Sequence, residues 1–350
     1  MSESADARAG PPPAAEPTVA GRSVGRSLLV ALVAGGVILL LVVNRREVPA
    51  VWASLRAARP VWVGLAVGAV ALGWLNLAAL HAAAQRALGL PTVARQVAVP
   101  ALAAQFLNLL FSSGGLAGLS VFRADGRRRG LEPGPVTGSY LLVAVAGQLA
   151  VIAVLPVAFA ILVGTGRLTT ADVVVSAVFL LYSMILVVLV VEGVRSRSAL
   201  RRAYALPRRL VAGALRRPRP TVEPTRADEL YDALQLLRAA PRRAVRIAVH
   251  AVGVDVGGIV LLWLVLRALS LPLGFQVAVV AYAVSLMFSI VGFLPGGLGF
   301  VEVSLAAVLV SYGTPGVAAA AAVALFRLFE LWLPLAAGAL AARVVLRSSA

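Results

Sequence analysis

Long apolar segments alternate along this chain with short polar loops that are rich in arginine. A helix needs about 20 apolar residues to cross the roughly 30 Å of bilayer hydrocarbon, and several segments reach or approach that length. The pattern predicts an all-α, polytopic membrane protein with about six full spans. The predicted spans are Leu28–Val43, Val61–Leu80, Val136–Leu162, Val173–Val191, Arg246–Leu266 and Val317–Ala341.

Two further apolar stretches, Val97–Phe122 and Val277–Tyr312, are each interrupted by a glycine pair within the pattern Phe-x-x-Gly-Gly-Leu. Paired glycines break helices, and a bilayer tolerates broken backbone only where protein buries it or it lines a cavity. In the first stretch barely 7 residues follow the break, a rise of only about 10 Å. We therefore expect two glycine-broken re-entrant hairpins, although the second stretch has room for two crossings.

The two copies of the motif lie 182 residues apart and predict a duplicated fold, although glycine is common here and a chance match is the alternative. The densest basic run, Arg195–Arg246, holds 14 arginines against four acids and is expected in the cytoplasm together with both termini. The hairpins then open to opposite sides, which is an inverted repeat suited to alternating access. Arg45, Arg46, Arg56 and Arg59 fall on the outer side and count against this topology.

The composition sets the domain organisation and excludes several classes of function. The 60% of hydrophobic residues and 13% of charged residues exclude an ordinary soluble domain and indicate a multi-pass protein of the cell membrane. Residues 1–22 are predicted to form a disordered tail, 23–194 a first membrane half, 195–245 a basic cytoplasmic loop and 246–346 a second membrane half. Within the loop, Asp228–Arg238 is predicted to form an amphipathic helix on the membrane surface.

The net charge and the absence of certain residue types limit the partners, cofactors and reactions that we expect for this chain. The net charge of +17 favours an anionic membrane surface, and nucleic acid is not expected because the arginines are scattered over short loops. The chain has no cysteine and 2 histidines, so no metal or other cofactor is expected. The usual phosphate-loop, metalloprotease and nucleophile-elbow motifs are absent, and we expect the chain not to be an enzyme.

The sharpest local signal is the second glycine break, with Pro295, Gly296, Gly297 and Gly299 followed by Glu302. The proline ends one helix, and the glycines allow a turn from which a new helix starts. The free N–H groups and the positive dipole end of that helix suit a phosphate or a carboxylate. Glu302 is therefore either a functional carboxylate or a cap of its own helix.

Arg327 and Glu330 lie three residues apart inside the last predicted span, on neighbouring positions of one helix face. Charges at that depth are costly, so they pair or mark a substrate path. Arg327 is expected to pair with Glu330, with Glu302 or with a lipid phosphate, and a purely structural ion pair is the alternative. His250 and Asp255, five residues apart, are expected to make interhelical contacts.

In the first half the candidates are Gly114, Gly115, Asn108 and Arg123. Arg123 follows the glycine pair by eight residues and is placed to meet an anionic headgroup at the cytoplasmic mouth, or to act as a topology determinant at a helix end. Asn108 is a polar residue in apolar surroundings, where most such groups serve helix–helix hydrogen bonds.

The element Pro295-Gly296-Gly297-Leu298-Gly299-x-x-Glu302, with Arg327 and a later Trp332-x-Pro334, resembles the signature of the lysylphosphatidylglycerol synthase transmembrane-region family, also called flippase-like membrane proteins. The resemblance covers roughly residues 25–345. It implies a polytopic domain that moves a modified phospholipid between leaflets, with Pro295, Gly296, Gly297, Gly299, Glu302 and Arg327 as the corresponding positions. The first motif has Ser112-Ser113 where this family pattern would have a proline. The sequence stops at Ala350 without the soluble aminoacyl-transferase domain, so we expect no lipid lysinylation by this chain alone.

The expected function is therefore transport of an anionic or aminoacylated phospholipid, or of a polyprenyl-phosphate glycolipid, between leaflets. Arginines would hold the phosphate, and Glu302 would act as a counter-ion or proton-coupled switch. Two alternatives stay open. One is a non-transporting partner that anchors a lipid-modifying enzyme or a glycosyltransferase, and the other is a membrane-embedded transferase with a lipid donor.

Overall fold

The computed structural model describes residues 48–110, 116–164, 170–203, 205, 224–291 and 295–347. The chain divides into two compact units, residues 1–52 and 53–350. Of the first unit, only the start of helix α1 (Val48–Arg56) belongs to the described residues. The predicted tail 1–22 and the predicted span Leu28–Val43 lie outside them, as do Gly114 and Gly115 of the first glycine pair.

The second unit is built from helices, and its described part contains no strand. A short stretch at 197–203 is also helical. The labelled helices are α2 (Pro60–Ala87), α3 (Ala94–Leu110), α4 (Leu116–Arg128), α5 (Pro133–Gly164), α6 (Thr170–Arg195), α7 (Pro224–Ala239), α8 (Pro241–Ala268), α9 (Phe275–Val291), α10 (Phe300–Ser311), α11 (Gly316–Arg327) and α12 (Leu333–Arg347). A 3₁₀ turn at Pro295–Gly297 precedes α10, and a π-helical turn at Leu328–Trp332 joins α11 to α12.

Four helical segments in the described part of the chain are long and apolar enough to cross a membrane: α2, α5, α8 and the continuous run Gly316–Val344. They coincide with four of the predicted spans, and α6 contains the segment predicted as a fifth, Val173–Val191. Large apolar side chains such as Leu72, Leu180 and Val303 are two-thirds or more exposed on the outside of the helices. Exposed apolar surface of this kind is what a lipid-facing helix presents, so the fold is that of a multi-pass membrane protein.

The helices repeat in order and in length. Helices α2 and α8 have 28 residues each, and α3 and α9 have 17 each. Helix α4 has 13 residues and α10 has 12. The 12, 5 and 15 residues of α11, the π turn and α12 together match the 32 residues of α5. The starting positions correspond as Pro60 to Pro241, Ala94 to Phe275, Leu116 to Phe300 and Pro133 to Gly316.

The packing repeats as well. Helix α3 packs on α4 as α9 packs on α10, and α4 packs on α5 as α10 packs on α11. One helix of each half also packs against the other half: α3 packs against α12, and α9 packs against α5. Helices α2 and α8 form the most extensive helix pair, in which Asn76 donates to the carbonyl of His250 at 2.8 Å. This correspondence agrees with a duplicated fold, while the opposite orientation of the halves in the membrane stays a prediction.

The structure corrects the expected length of the first hairpin. Only about 7 residues were expected to follow the glycine pair, but α4 runs for 13 residues through Arg123 to Arg128. Arginine is a good helix former and its long stem can cover apolar surface, so the basic cluster continues the helix instead of ending it. At about 1.5 Å per residue α4 rises roughly 20 Å, which is still less than a full crossing.

Helix α7 confirms a helix over the predicted Asp228–Arg238 segment and gives it a packing partner. Its apolar face, with Ala227, Leu230 and Ala233, is buried with Leu141 and Leu142 of α5. Gly138 of α5 allows this approach, because an added Cβ would lie 2.8 Å from the carbonyl oxygen of Glu229. The basic loop is therefore tied to the helix bundle by α7.

We expect Gly338→Ala to destabilise the protein by about 1–3 kcal/mol, the usual cost of overpacking. An added Cβ at Gly338 of α12 would lie 2.6 Å from the carbonyl oxygen of Leu102 and 2.7 Å from the Cβ of Phe106, both on α3. Thermal unfolding in detergent measures the effect. In Gly147→Ala of α5, where nothing lies within 4 Å of the new Cβ, helix propensity predicts a neutral or stabilising change. Equal effects of both substitutions would contradict the close α3–α12 contact.

Candidate functional site

Arg327 lies at the junction of α11 and the π turn and is the centre of a charged network. Its side chain is buried, and the residue is only 4% exposed. Nε donates to Oε1 of Glu302 at 2.7 Å, and Nη1 donates to Oε2 of Glu330 at 2.8 Å. Nη2 donates to the carbonyl oxygen of Gly296 at 2.9 Å. All three guanidinium nitrogens are thus engaged, and both expected carboxylate partners are used at once.

The π turn explains how Arg327 and Glu330 point to the same place. A π turn widens the helix locally and is frequent at functional sites. Here it begins immediately after Arg327 and contains Glu330. The three-residue spacing keeps both side chains on one face, as the sequence predicted.

The second glycine break supplies the other side of the network. Gly296, Gly297 and Gly299 have φ of 65°, 64° and 84°, a left-handed conformation that residues with a Cβ rarely adopt. This turn directs the carbonyl of Gly296 to Arg327 and starts α10 at Phe300. The 3₁₀ turn begins at Pro295, as the break in the sequence predicted.

Glu302 has two roles at the same time. Its Oε2 accepts a hydrogen bond from the backbone N–H of Gly299 at 2.7 Å, which caps α10, while its Oε1 accepts from Arg327. The carboxylate of Glu302 therefore occupies the N-terminal end of α10, where an anionic ligand was expected. It also fixes the orientation of Arg327 relative to that helix.

A cavity of about 300 Å³ opens beside this network and contains contributions from both membrane halves. Arg327 and Glu330 both line it, and the Glu330 side chain is 40% exposed. Leu109 of α3 contacts Gly296, because a Cβ there would lie 2.6 Å from Leu109 Cδ1. The first stretch therefore meets the second at this cavity. The other polar residues that line it are Gln105, Asn108, Ser285 and Ser289.

Ser285 and Ser289 are site residues that the sequence reasoning missed. They lie four residues apart on α9, just before the glycine break, and so share one helix face. That spacing of small hydroxyls next to a break is the signal that could have identified them. Gly297 packs against Ser289, since a Cβ at Gly297 would lie 3.1 Å from its Cα.

Asn108 lines the cavity and also closes the first hairpin. Its Oδ1 accepts from the backbone N–H of Gly118 at 2.7 Å, and its Nδ2 donates to the hydroxyl of Tyr140 at 2.8 Å. The side chain thereby links α3, α4 and α5. Both the oxygen and the nitrogen of its amide group thus make hydrogen bonds between helices, as is common for polar groups within membranes.

Arg123 lies elsewhere and is not among the residues that line the cavity. Its Nε donates to the hydroxyl of Thr137 at 2.9 Å, and its Nη2 lies 3.6 Å from a carboxylate oxygen of Glu229. Burial raises the pKa of the Glu229 carboxyl, and the charge of Arg123 opposes that shift. Arg123 therefore joins α4 and α5 to α7 at the basic loop.

A second, mostly apolar cavity of about 830 Å³ lies on the other side of the glycine break. It is formed by the end of α5 and by α9 and α10, and Leu298, Gly299 and Phe300 belong to its wall. The break thus separates a polar cavity from an apolar one.

The described part of the chain has no group of three or more His, Asp or Glu residues that could hold a metal ion.

The charged network of Arg327, Glu302 and Glu330 beside the polar cavity has an excess of acidic groups. Two carboxylates, Glu302 and Glu330, face the single guanidinium of Arg327. Since the charges of one carboxylate and the guanidinium cancel, the network carries one excess negative charge when both carboxylates are ionised. A buried excess charge in a low dielectric attracts a counter-charge strongly.

Comparison with known proteins agrees with this architecture. The model of the family described as the lysylphosphatidylglycerol synthase transmembrane region matches residues 27–338. A UPF0104 membrane protein from Methanothermobacter thermautotrophicus is 32% identical over 79 residues, which is 23% of this chain and 24% of that protein. The matched part thus spans about a quarter of the curated relative. The family match confirms the resemblance seen in the glycine motif, and the chain belongs to the lysylphosphatidylglycerol synthase transmembrane-region family.

Proposed function

We propose that this protein is a flippase-like transporter that passes a lipid headgroup through the Arg327 cavity, and that the preferred headgroup carries an ammonium group, as in an aminoacylated phospholipid. The observation that carries the proposal is the pairing of one buried guanidinium with two carboxylates at a cavity shared by both halves. An intramembrane charge cluster of this kind marks a substrate path more often than a stabilising contact.

The size of the cavity supports a headgroup as the occupant. Its volume of about 300 Å³ is at the lower end of the range for small-molecule sites. A complete phospholipid would not fit, so the acyl chains would stay in the bilayer. The apolar cavity beside Leu298 and Phe300 offers a surface on which a chain can rest while the headgroup occupies the polar side.

The charge of the cavity supports an ammonium group over a purely anionic headgroup. Each guanidinium nitrogen of Arg327 already donates to a protein oxygen, so Arg327 organises the site instead of holding a phosphate alone. Glu330 is the more exposed of its two carboxylate partners, with 40% of the side chain accessible against 24% for Glu302. An ammonium group would neutralise the excess negative charge there.

The duplicated helix order supports movement of the headgroup between leaflets. Substrate sites in transporters with internal repeats lie near the midplane, where broken helices from the repeats meet. In this protein α3 of the first half and α9 with the π turn of the second half form one cavity. Rocking of one half against the other would expose that cavity to each leaflet in turn.

We expect Arg327→Lys to abolish most lipid exchange in proteoliposomes. Lysine keeps the charge but cannot reproduce the fork that binds Glu302, Glu330 and the Gly296 carbonyl together. Leaflet exchange of fluorescent lysyl-phosphatidylglycerol measures the effect, and thermal unfolding in detergent checks the fold. Arg343→Lys, at an exposed position of α12, is the matched control and should exchange lipid like the wild type. If folded Arg327→Lys exchanges lipid as fast as the wild type, the proposal that the headgroup passes through the Arg327 cavity is wrong.

We expect Glu330→Gln to change which lipid is exchanged. Loss of one charge-assisted contact, worth about 1.5–3 kcal/mol, should slow exchange of lysyl-phosphatidylglycerol about tenfold or more. Exchange of phosphatidylglycerol, which has no ammonium group, should fall less or rise. Glu192→Gln, at an exposed position of α6, is the control.

A wild type that prefers phosphatidylglycerol, with a Glu330→Gln variant that keeps this preference, would contradict the ammonium proposal. Absence of exchange of every lipid by the folded wild type would contradict transport itself. That result would favour the alternative in which the protein anchors a lipid-modifying enzyme or a glycosyltransferase, and co-purification of such an enzyme would support it.

A further inference from the structure

Asp255 is a buried carboxyl group near the middle of a membrane-spanning helix. Helix α8 begins 14 residues before it at Pro241 and ends 13 residues after it at Ala268, so each end is about 20 Å away. The residue is 6% exposed. No ion pair to Asp255 occurs among the residues that the structure describes. An isolated carboxylate at this depth is costly, whereas a protonated carboxyl needs only a hydrogen bond.

The hydrogen bond that Asp255 makes is long. The hydroxyl of Tyr282 on α9 donates to its Oδ1 at 3.4 Å, close to the limit of a useful contact. Gly258, one turn further along α8, makes room for the Tyr282 ring, since a Cβ there would lie within 2.5 Å of three ring and hydroxyl atoms. The contact between Asp255 and Tyr282 therefore depends on the close packing of α8 against α9 at Gly258.

The neighbouring elements offer Asp255 little compensating charge. Helix α5 contains no charged residue. On α2, Asn76 is hydrogen-bonded to His250, five residues before Asp255 on α8. The titratable side chains of α2 are His81, which is stacked on Phe122, and Arg86, which donates to the carbonyl of Thr92. The charged residues of α7 lie toward the start of α8, where Leu237 packs near Ile247. The arginines of α8 itself lie toward the two ends of the helix, at Arg242, Arg243, Arg246 and Arg267. Arg327 and Glu330 lie beyond Tyr282, next to Phe326.

Tyr282 connects Asp255 to the polar cavity. It precedes the cavity-lining residues Ser285 and Ser289 by three and seven positions and so lies on the same face of α9. Its ring makes an edge contact with Phe326, at 6.5 Å between centroids, and Phe326 also lines the cavity next to Arg327. One tyrosine thus separates the isolated carboxyl group from the substrate cavity.

We propose that Asp255 binds and releases a proton in each transport cycle through the hydroxyl of Tyr282, and that this exchange couples movement of the headgroup to a proton gradient. The inference rests on the proposed function. It assigns the protonation step to Asp255 instead of Glu302, which the sequence suggested. Both carboxylate oxygens of Glu302 already accept hydrogen bonds, one from Gly299 and one from Arg327, so Glu302 serves to hold Arg327 and α10 in place.

The coupling follows from electrostatics in a low dielectric. An ammonium group that enters beside Glu330 adds a positive charge close to Tyr282 and disfavours a second positive charge, the proton, on Asp255. Binding of the headgroup then releases the proton, and departure of the headgroup allows Asp255 to take up another. The chemical change is the transfer of one proton from the carboxyl group to water, and lipid and proton move in opposite directions.

Proteoliposomes with an imposed pH gradient test this proposal. Lysyl-phosphatidylglycerol carrying a fluorescent label is placed in both leaflets, and its distribution is followed by chemical quenching of the outer leaflet. For the wild type we expect accumulation in the leaflet on the acidic side, whichever way the protein is inserted. Asp255→Asn keeps the shape and the contact with Tyr282, so lipid should still equilibrate between leaflets but should not accumulate.

Three further variants sharpen the test. Asp255→Glu should retain accumulation, because it keeps a carboxyl group. Tyr282→Phe keeps the ring on Phe326 and should weaken accumulation without stopping equilibration. Asp228→Asn, which removes a carboxylate on α7 that pairs with Arg201 outside the spans, should behave like the wild type. Full accumulation by folded Asp255→Asn would overturn the proposal.

An infrared measurement tests the protonation directly and does not depend on transport. Protein labelled with isotopic aspartate should show a carbonyl band of a protonated aspartic acid that shrinks when lysyl-phosphatidylglycerol is added. Absence of such a band over the range from about pH 5 to about pH 8 would overturn the assignment of the proton to Asp255. If the wild type equilibrates lipid without any response to the gradient, only the coupling fails. If it does not exchange lipid at all, the proposed function fails.

Discussion

The burial of one guanidinium inside an apolar helix bundle is the constraint on which the site depends. An arginine at this depth is stable only if nearby groups neutralise it and accept its hydrogen bonds. Arg327 obtains these from Glu302, Glu330 and the Gly296 carbonyl. Each acceptor belongs to a different local structure, so the broken backbone, the capped helix and the π turn are held in register by a single side chain.

The irregular backbone around Arg327 follows from the same requirement. A continuous helix would keep its carbonyls within the helix, and none would be free for Arg327. The left-handed glycines after Pro295 release the Gly296 carbonyl, and Glu302 satisfies the N–H of Gly299 at the new helix end. Two polar backbone groups of the break, the Gly296 carbonyl and the Gly299 N–H, are thus paired within the protein, as a bilayer requires.

The two halves share helix order but differ in polarity. In the second half, the glycine break is held by the charged side chains of Arg327 and Glu302. In the first half, α3 and α4 are joined by neutral hydrogen bonds of Asn108 with Gly118 and Tyr140. The first half contributes amides and apolar side chains to the cavity, and the second contributes all of its charge. The two halves therefore repeat the same helix order but supply different chemistry to the cavity, since its charged lining residues come from the second half. A single cavity can in this way be formed by two similar sets of helices.

The sequence by itself determined the membrane class and five of the long apolar helices, four of which are long and apolar enough to cross a membrane. It could do so because the length and apolarity of a helix are local properties. It also identified the second glycine break and Arg327 as a charge within an apolar segment, since glycines, prolines and isolated charges have local costs. It did not determine that Arg327 binds Glu302 and Glu330 together, that Arg123 joins α7, or that Ser285 and Asp255 lie near the same cavity. Those contacts join residues from different helices, up to 106 positions apart for Arg123 and Glu229, and depend on how the helices pack. Only the tertiary structure decided them, because side chains that meet across helices are selected by packing and not by the local pattern.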